Sequence, residues 1–197
     1  MLYSILKVII TGFIKVIAKT EVKNLEKLPQ EGPVVLACNH TSYWDPVVLG
    51  VLLPRRLHFM AKEELFKIFL FGSLIKILGA FPVKRGKSDL NAIKNSLKIL
   101  KEGKVLCIFP EGTRSLKGEL LDFESGITLL AYKGNAPIVP VGLKGARKLF
   151  PRGFRTKLEL NIGDPIYIEN PDKGKITNEQ LEQITKQVHN KVKELLA

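Results

Sequence analysis

Apolar residues recur along the chain in two rhythms. Short apolar blocks at Val34–Cys38, Leu57–Ala61, Leu78–Val83, Val105–Phe109, Ile138–Leu143 and Leu158–Ile162 predict strands, and most are continuous runs, as in strands covered on both faces. Between them the spacing becomes helical. Leu90, Ile93, Leu97 and Leu100 share one face of a helix that follows Ser88 and stops at Gly103. A final helix opens on a capping box of Thr177 and Gln180 and buries Leu181, Ile184, Val188, Val192 and Leu195. This alternation predicts an α/β fold, a mixed, largely parallel sheet covered by helices.

Two segments break the rhythm. In the first 20 residues, Tyr3, Lys7, Thr11, Lys15 and Lys19 step by four and form a polar stripe. The other face carries Leu2, Ile5, Leu6, Ile9, Ile10, Phe13, Ile14 and Ile17. The segment is short and charged for a spanning helix, which needs roughly 20 mostly apolar residues. It reads as an amphipathic helix at residues 1–20, lying in the membrane interface with its lysines toward anionic headgroups; an ordinary core-packing helix is the alternative. No small-residue cleavage site follows it, so a cleaved signal peptide is not expected. Residues 21–197 then form the α/β domain, without internal repeats or low-complexity linkers. Residues 65–78 leave almost no polar face beyond Lys67 and Lys76, as in a helix buried all round or partly inserted in lipid.

Charge narrows the partners. Thirty-one Lys and Arg against nineteen Asp and Glu give +12, which favours anionic surfaces, nucleic acid or an acidic protein or coenzyme. Basic residues interleave with aromatics in one stretch, Lys144, Arg147, Lys148, Phe150, Arg152, Phe154, Arg155 and Lys157, suited to headgroups or nucleic-acid phosphates. Two cysteines, Cys38 and Cys107, lie in strand-like runs and predict reduced, buried thiols in a cytoplasmic protein.

The candidate chemistry sits at strand ends. His40 and Asp45 fall in Asn-His-Thr-Ser-Tyr-Trp-Asp after Val34–Cys38. If Asp45 caps the next helix, with Pro46 at its first position, the turn brings carboxylate to imidazole. The imidazole is then free to take a proton from a substrate hydroxyl. Read alone, the pair equally describes a helix cap and a loop histidine. Phe109-Pro110-Glu111-Gly112-Thr113-Arg114-Ser115 follows another strand, where open α/β sheets bind ligands. Gly112 permits close backbone approach, Thr113 and Ser115 offer hydroxyls, and Arg114 offers a phosphate fork. Lys62 and Arg85 end two further strands.

Together these blocks resemble the bacterial 1-acylglycerol-3-phosphate (lysophosphatidic acid) acyltransferases. The pattern Asn-His-x-Ser-x-x-Asp, Gly-x-x-x-Val-x-Arg, Phe-Pro-Glu-Gly-Thr-Arg-Ser and Pro-Ile-Val-Pro-Val occurs in order at 39–45, 79–85, 109–115 and 137–141. The resemblance implies acyl transfer from a thioester, acyl-CoA or acyl carrier protein, to the sn-2 hydroxyl of lysophosphatidic acid. It implies His40 as general base, Asp45 as its partner, Lys62, Arg85 and Arg114 on the phosphate, and Glu111, Gly112 and Thr113 at the acceptor pocket. Another lysophospholipid or glycerol phosphate is the alternative acceptor. No cofactor or metal is expected; His58 and His189 lack paired ligands. The expected location is the cytoplasmic face of the cell membrane, peripheral or monotopic. Nucleic acid is an unlikely partner, because no reader motif accompanies the charge. One departure stands out. Family members often carry a lysine in a Phe-Lys-x-Gly segment, where this chain has Phe123-Glu124-Ser125-Gly126, so that lysine's role is absent or moved, for example to Lys117. Cys38 is set aside as a nucleophile because strand alternation turns it toward the core.

Overall fold

Runs of Val, Ile and Leu without polar alternation form strands that need helices on both sides, and the chain supplies them. A computed structural model describes residues 2–84, 89–169 and 176–197. Its strands are β1 (Ala18–Lys23), β2 (Val34–Cys38), β3 (Leu57–Lys62), β4 (Ala80–Val83), β5 (Val105–Ile108), β6 (Ile138–Lys144) and β7 (Thr156–Ile162). They make one sheet in the order β1-β7-β6-β2-β5-β3-β4. Neighbours pair parallel throughout except β6 with β7. The helices are α1 (Leu2–Ile17), α2 (Asp45–Leu52), α3 (Phe71–Ile77), α4 (Leu90–Lys101), α5 (Gly126–Lys133) and α6 (Asn178–Leu195).

Strand β2 shows how the layers divide. Val34, Leu36 and Cys38 join the core beneath α1 and α2, while Val35 and Ala37 join the core beneath α4, α5 and α6. Pro140 sits in β6, inside the sheet, without breaking it. The β7 ladder begins only at Val141, so the missing N–H falls where no partner strand asks for it.

The five parallel strands β6, β2, β5, β3 and β4 end at one edge of the sheet. From β2 the chain crosses to β3 on one side, and from β5 it crosses to β6 on the other. The carboxyl ends of β2 and β5 therefore flank a topological switch point, the place where such sheets bind ligands.

Two expectations change. The hydrophobic pattern does not announce β1, whose alternating Ala-Lys-Thr-Glu-Val-Lys pairs with β7; helix α1 ends at Ile17, so the 20/21 boundary falls inside that strand. The first part of the polar stripe, Tyr3, Lys7 and Thr11, also turns toward the domain, while Lys15 and Lys19 stay exposed. Lys7 Nζ donates to Leu53 O at 2.7 Å, Thr11 Oγ1 donates to Lys7 O, and the Tyr3 ring lies 4.4 Å from the Arg56 guanidinium. The outward face is Leu2, Ile5, Val8, Ile9, Phe13 and Val16, with Val8 71% exposed. The second change concerns residues 65–78, which are not one helix. A 3-10 segment, Glu63–Lys67, and α3 flank a break at Leu70 (φ +62°). The tip Ile68–Phe71 projects apolar side chains outward, Phe69 being 88% exposed.

Opposite the site, Arg55 ties the amino ends of the sheet together, donating to Pro29 O, Glu31 O, Gly32 O and Gly103 O. Arg55→Ala is expected to cost about 1.5–3 kcal/mol of stability. A denaturant midpoint should fall, while activity per folded molecule should not, because the contacts lie at the far edge of the sheet.

Candidate active site

Asn39 makes the first contact beyond β2. Its side-chain amide donates to Leu143 O at 3.0 Å and accepts from Leu143 N at 2.9 Å, extending the β2–β6 ladder by one side chain. That lock delivers His40 to the sheet edge. The imidazole stacks on Phe109, with ring centroids 4.1 Å apart, which fixes its plane.

The turn after His40 closes on Asp45. Oδ2 of Asp45 lies 2.7 Å from His40 Nδ1 and accepts from Thr41 N at 2.7 Å and Ser42 N at 2.8 Å. Asp45 is the first residue of α2, with Trp44 at the N-cap, so the carboxylate folds back onto its own loop instead of capping the helix. Its negative charge sits at the positive end of the helix dipole. Among the described residues Oδ1 is buried with no hydrogen-bond partner, which leaves the carboxylate's other oxygen as its whole attachment.

Glu111 holds the histidine from the β5 side. It is 7% exposed. Oε1 accepts from His40 N at 2.6 Å and Oε2 from Leu121 N at 3.2 Å. The Ser115 N–H donates to His40 O at 2.8 Å. Both backbone groups of His40 are thus bound by the segment that follows β5. Burial pushes the Glu111 carboxyl up, with the charge of Asp45 adding to it, and the hydrogen bonds from His40 and Leu121 work against the rise.

The other sequence candidates fall in different places. Gly112 adopts φ +66° and lines the cavity beside His40; Thr113 is exposed on the same turn. Arg114 stacks over the Tyr43 ring, 3.5 Å from its centroid, and forms no ion pair among the described residues. Lys62 is exposed and lies 3.3 Å from Glu64, and it does not line the cavity. Arg85 lies outside the described residues. Sequence reasoning passed over Asn39 and Tyr43; both stand inside the quoted Asn-His-Thr-Ser-Tyr-Trp-Asp block, and that position was the available signal.

A cavity of about 280 Å³ opens beside His40 and runs between the sheet and α4 and α5. Met60, Ile93, Ile108, Phe109, Ile127 and Leu130 make its wall. Glu124, the acid in place of the family lysine, also lines it. Cys38 and Cys107 are free and buried, and burial pushes both thiols up, so neither offers a thiolate nucleophile. His58 Nδ1 lies 3.3 Å from Val105 O and His189 packs edge-on to Phe123, away from the site.

Comparison with known proteins agrees with this geometry. A family model described as Acyltransferase matches residues 19–144. The chain is 37% identical over 185 residues to a Bacillus subtilis (strain 168) protein, "1-acyl-sn-glycerol-3-phosphate acyltransferase", covering 89% of this chain and 90% of that one. A Streptococcus pneumoniae protein of the same name is 32% identical, over 87% of this chain and 64% of its own length. The crystal structure of the 1-acyl-sn-glycerophosphate (LPA) acyltransferase PlsC from Thermotoga maritima superposes with a TM-score of 0.75 at 28% identity, covering 99% of this chain and 81% of that one. With a buried His-Asp pair at the switch point of a matching sheet, the chain belongs to the acyltransferase family.

Proposed function

We propose that the protein moves a fatty acyl group from an acyl thioester to the sn-2 hydroxyl of lysophosphatidic acid, yielding phosphatidic acid. The observation that carries this is the 2.7 Å contact between His40 Nδ1 and Asp45 Oδ2. A proton on Nδ1, held by Asp45, leaves Nε2 as the basic nitrogen. Nε2 takes the acceptor's hydroxyl proton as that oxygen attacks the thioester carbonyl. The C–S bond then breaks, and the imidazolium returns the proton to the departing thiolate. The substrate alcohol is the nucleophile, so no enzyme thiol is needed.

The cavity suits the acyl chain, since its wall is apolar and it opens beside His40. Arg114, with its charge unpaired among the described residues, is the partner for the acceptor phosphate. Acyl-CoA or acyl carrier protein serves as donor. The outward face of α1 docks on the membrane by apolar insertion, with exposed Lys15 and Lys19 left free for headgroups while Lys7 is committed to Leu53. No helix among the described residues is long and apolar enough to cross a membrane.

Purified protein given lysophosphatidic acid and labelled acyl-CoA or acyl carrier protein should form phosphatidic acid. His40→Ala should lower the rate by on the order of 100-fold or more; undiminished product would remove His40 from the chemistry. Glu111→Ala frees the His40 backbone and should lower kcat by about 100-fold, since a displacement near 1 Å costs that much. The KM values should stay near those of the parent, and a rise in acceptor KM alone would return Glu111 to the substrate pocket. Val8→Ser with Ile9→Ser should weaken sedimentation with vesicles by roughly 10-fold or more, through lost apolar burial. Equal sedimentation would leave α1 without a docking role.

A further inference from the structure

The basic stretch after β6 leaves the sheet at the same edge as His40, one strand away. It is a built loop. Gly145 turns it at φ +89°, where a Cβ would stand 2.0 Å from Lys157 O. Ala146 and Leu149 are buried in the core, and Thr156 Oγ1 donates to Lys148 O at 2.9 Å. Held this way, the loop points Arg147, Lys148, Arg152 and Arg155 outward, and none of the four joins an ion pair among the described residues. Phe150 and Phe154 stand exposed among them, Phe154 at 66%.

Trp44 connects this loop to the rest of the site's rim. Its Nε1–H donates to Phe150 O at 2.9 Å, and its ring stacks with Phe13 of α1 at 6.1 Å. The next residue is Asp45. Exposed Phe13 and Phe150 therefore flank one indole, and the apolar face of α1 continues into the basic loop. On its other side the loop reaches the turn after Ser115, since Arg147 lies against Gly118.

The geometry points to loop 145–157 as a second membrane contact, which binds the anionic headgroups of the bilayer through its four cations while Phe150 and Phe154 enter the interface. The inference rests on the reading of the protein as a lipid-acting enzyme and deepens it by naming the surface that meets the lipid. Charge complementarity selects the partner, because a cationic loop without an acid among residues 144–157 fits an anionic leaflet. Continuity with α1 selects the orientation. A bilayer touching both α1 and the loop lies over Trp44, beside the His40–Asp45 pair, so the acceptor's headgroup enters the site directly from the leaflet.

The test compares the parent with Arg147→Gln/Lys148→Gln/Arg152→Gln/Arg155→Gln and with Phe150→Ser/Phe154→Ser. Each is sedimented with phosphatidylcholine vesicles with and without phosphatidylglycerol. The charge variant should lose on the order of 100-fold in binding to the anionic vesicles and nothing on the neutral ones. High salt should erase the difference. The aromatic variant should lose binding to both. Both variants should retain transfer from acyl-CoA to a short-chain lysophosphatidic acid dissolved as monomer. Parent-like binding of the charge variant to anionic vesicles would overturn the proposal. So would intact vesicle binding with loss of transfer only from acyl carrier protein, which would make the loop a dock for an acidic protein. If the parent itself shows no transfer, the functional reading fails, and the vesicle comparison still decides the loop.

Discussion

The carboxylate of Glu111 joins two strands' worth of chemistry through one hydrogen bond to the His40 amide. Strands β2 and β5 are neighbours in the sheet, and their parallel pairing brings both carboxyl ends to the same height. Past those ends the ladder stops, and side chains take over its work. Glu111 and Ser115 hold His40 from β5, and Asn39 holds β2 to β6. Each of these bonds substitutes for a backbone pair that the loops cannot make, and together they turn the first residues of a loop into a rigid part of the sheet. A histidine on a free loop would wander; His40 inherits the precision of the core, as the proposed base role requires.

The same arrangement sets the electrostatics. Three carboxylate or imidazole groups, His40, Asp45 and Glu111, crowd into a nearly buried space, yet each carries a distinct duty. Asp45 gathers His40 Nδ1 and two backbone amides on a single oxygen. Glu111 spends both oxygens on backbone donors and offers none to a substrate. Its burial, and after it the charge of Asp45, work against its ionisation, and the two N–H donors oppose that rise without cancelling it. These bonds support the proposal that Glu111 positions His40, beside the acceptor-pocket role the resemblance implies. Gly112, next in the chain, does face the cavity, so adjacent residues of one turn divide the scaffold from the surface.

Much of this was legible in the chain. The continuous apolar runs of β2, β5 and β6 gave themselves away because strands buried on both faces cannot alternate. Asn-His-Thr-Ser-Tyr-Trp-Asp and Phe-Pro-Glu-Gly-Thr-Arg-Ser were recognisable because they follow such runs. Strand β1 was not, since its alternating Lys, Thr and Glu are stabilised by pairing with β7, a partner 138 positions away at Ala18↔Thr156. The facing of α1 was hidden for a different reason. Lys7 reads as a headgroup ligand by hydropathy, but a lysine can bury its stem and spend its ammonium on a carbonyl, here Leu53 O. Residues 65–78 misled by composition: a stretch with almost no polar face beyond Lys67 and Lys76 suggests one helix, but it starts as a 3-10 segment and breaks at Leu70, where φ is +62°.

That inversion of α1 changes how the surface near the site should be understood. With Lys7 and Thr11 turned inward, the helix keeps few charges to address headgroups, and its outer face of Ile, Val and Phe can only be covered by something apolar. Beyond the exposed Lys15 and Lys19, most of the cations that a headgroup layer would need stand on the loop that Trp44 ties to the same helix. In the proposed reading, apolar insertion and most of the charge attraction fall to two elements that meet at one indole, and that indole immediately precedes Asp45. Covering α1 and neutralising the loop both bring a surface to Trp44, the neighbour in the chain of Tyr43, over whose ring Arg114 stacks. On the proposed reading, a lipid presented from such a surface reaches Arg114 and His40 in a single approach, with no need to leave the interface first.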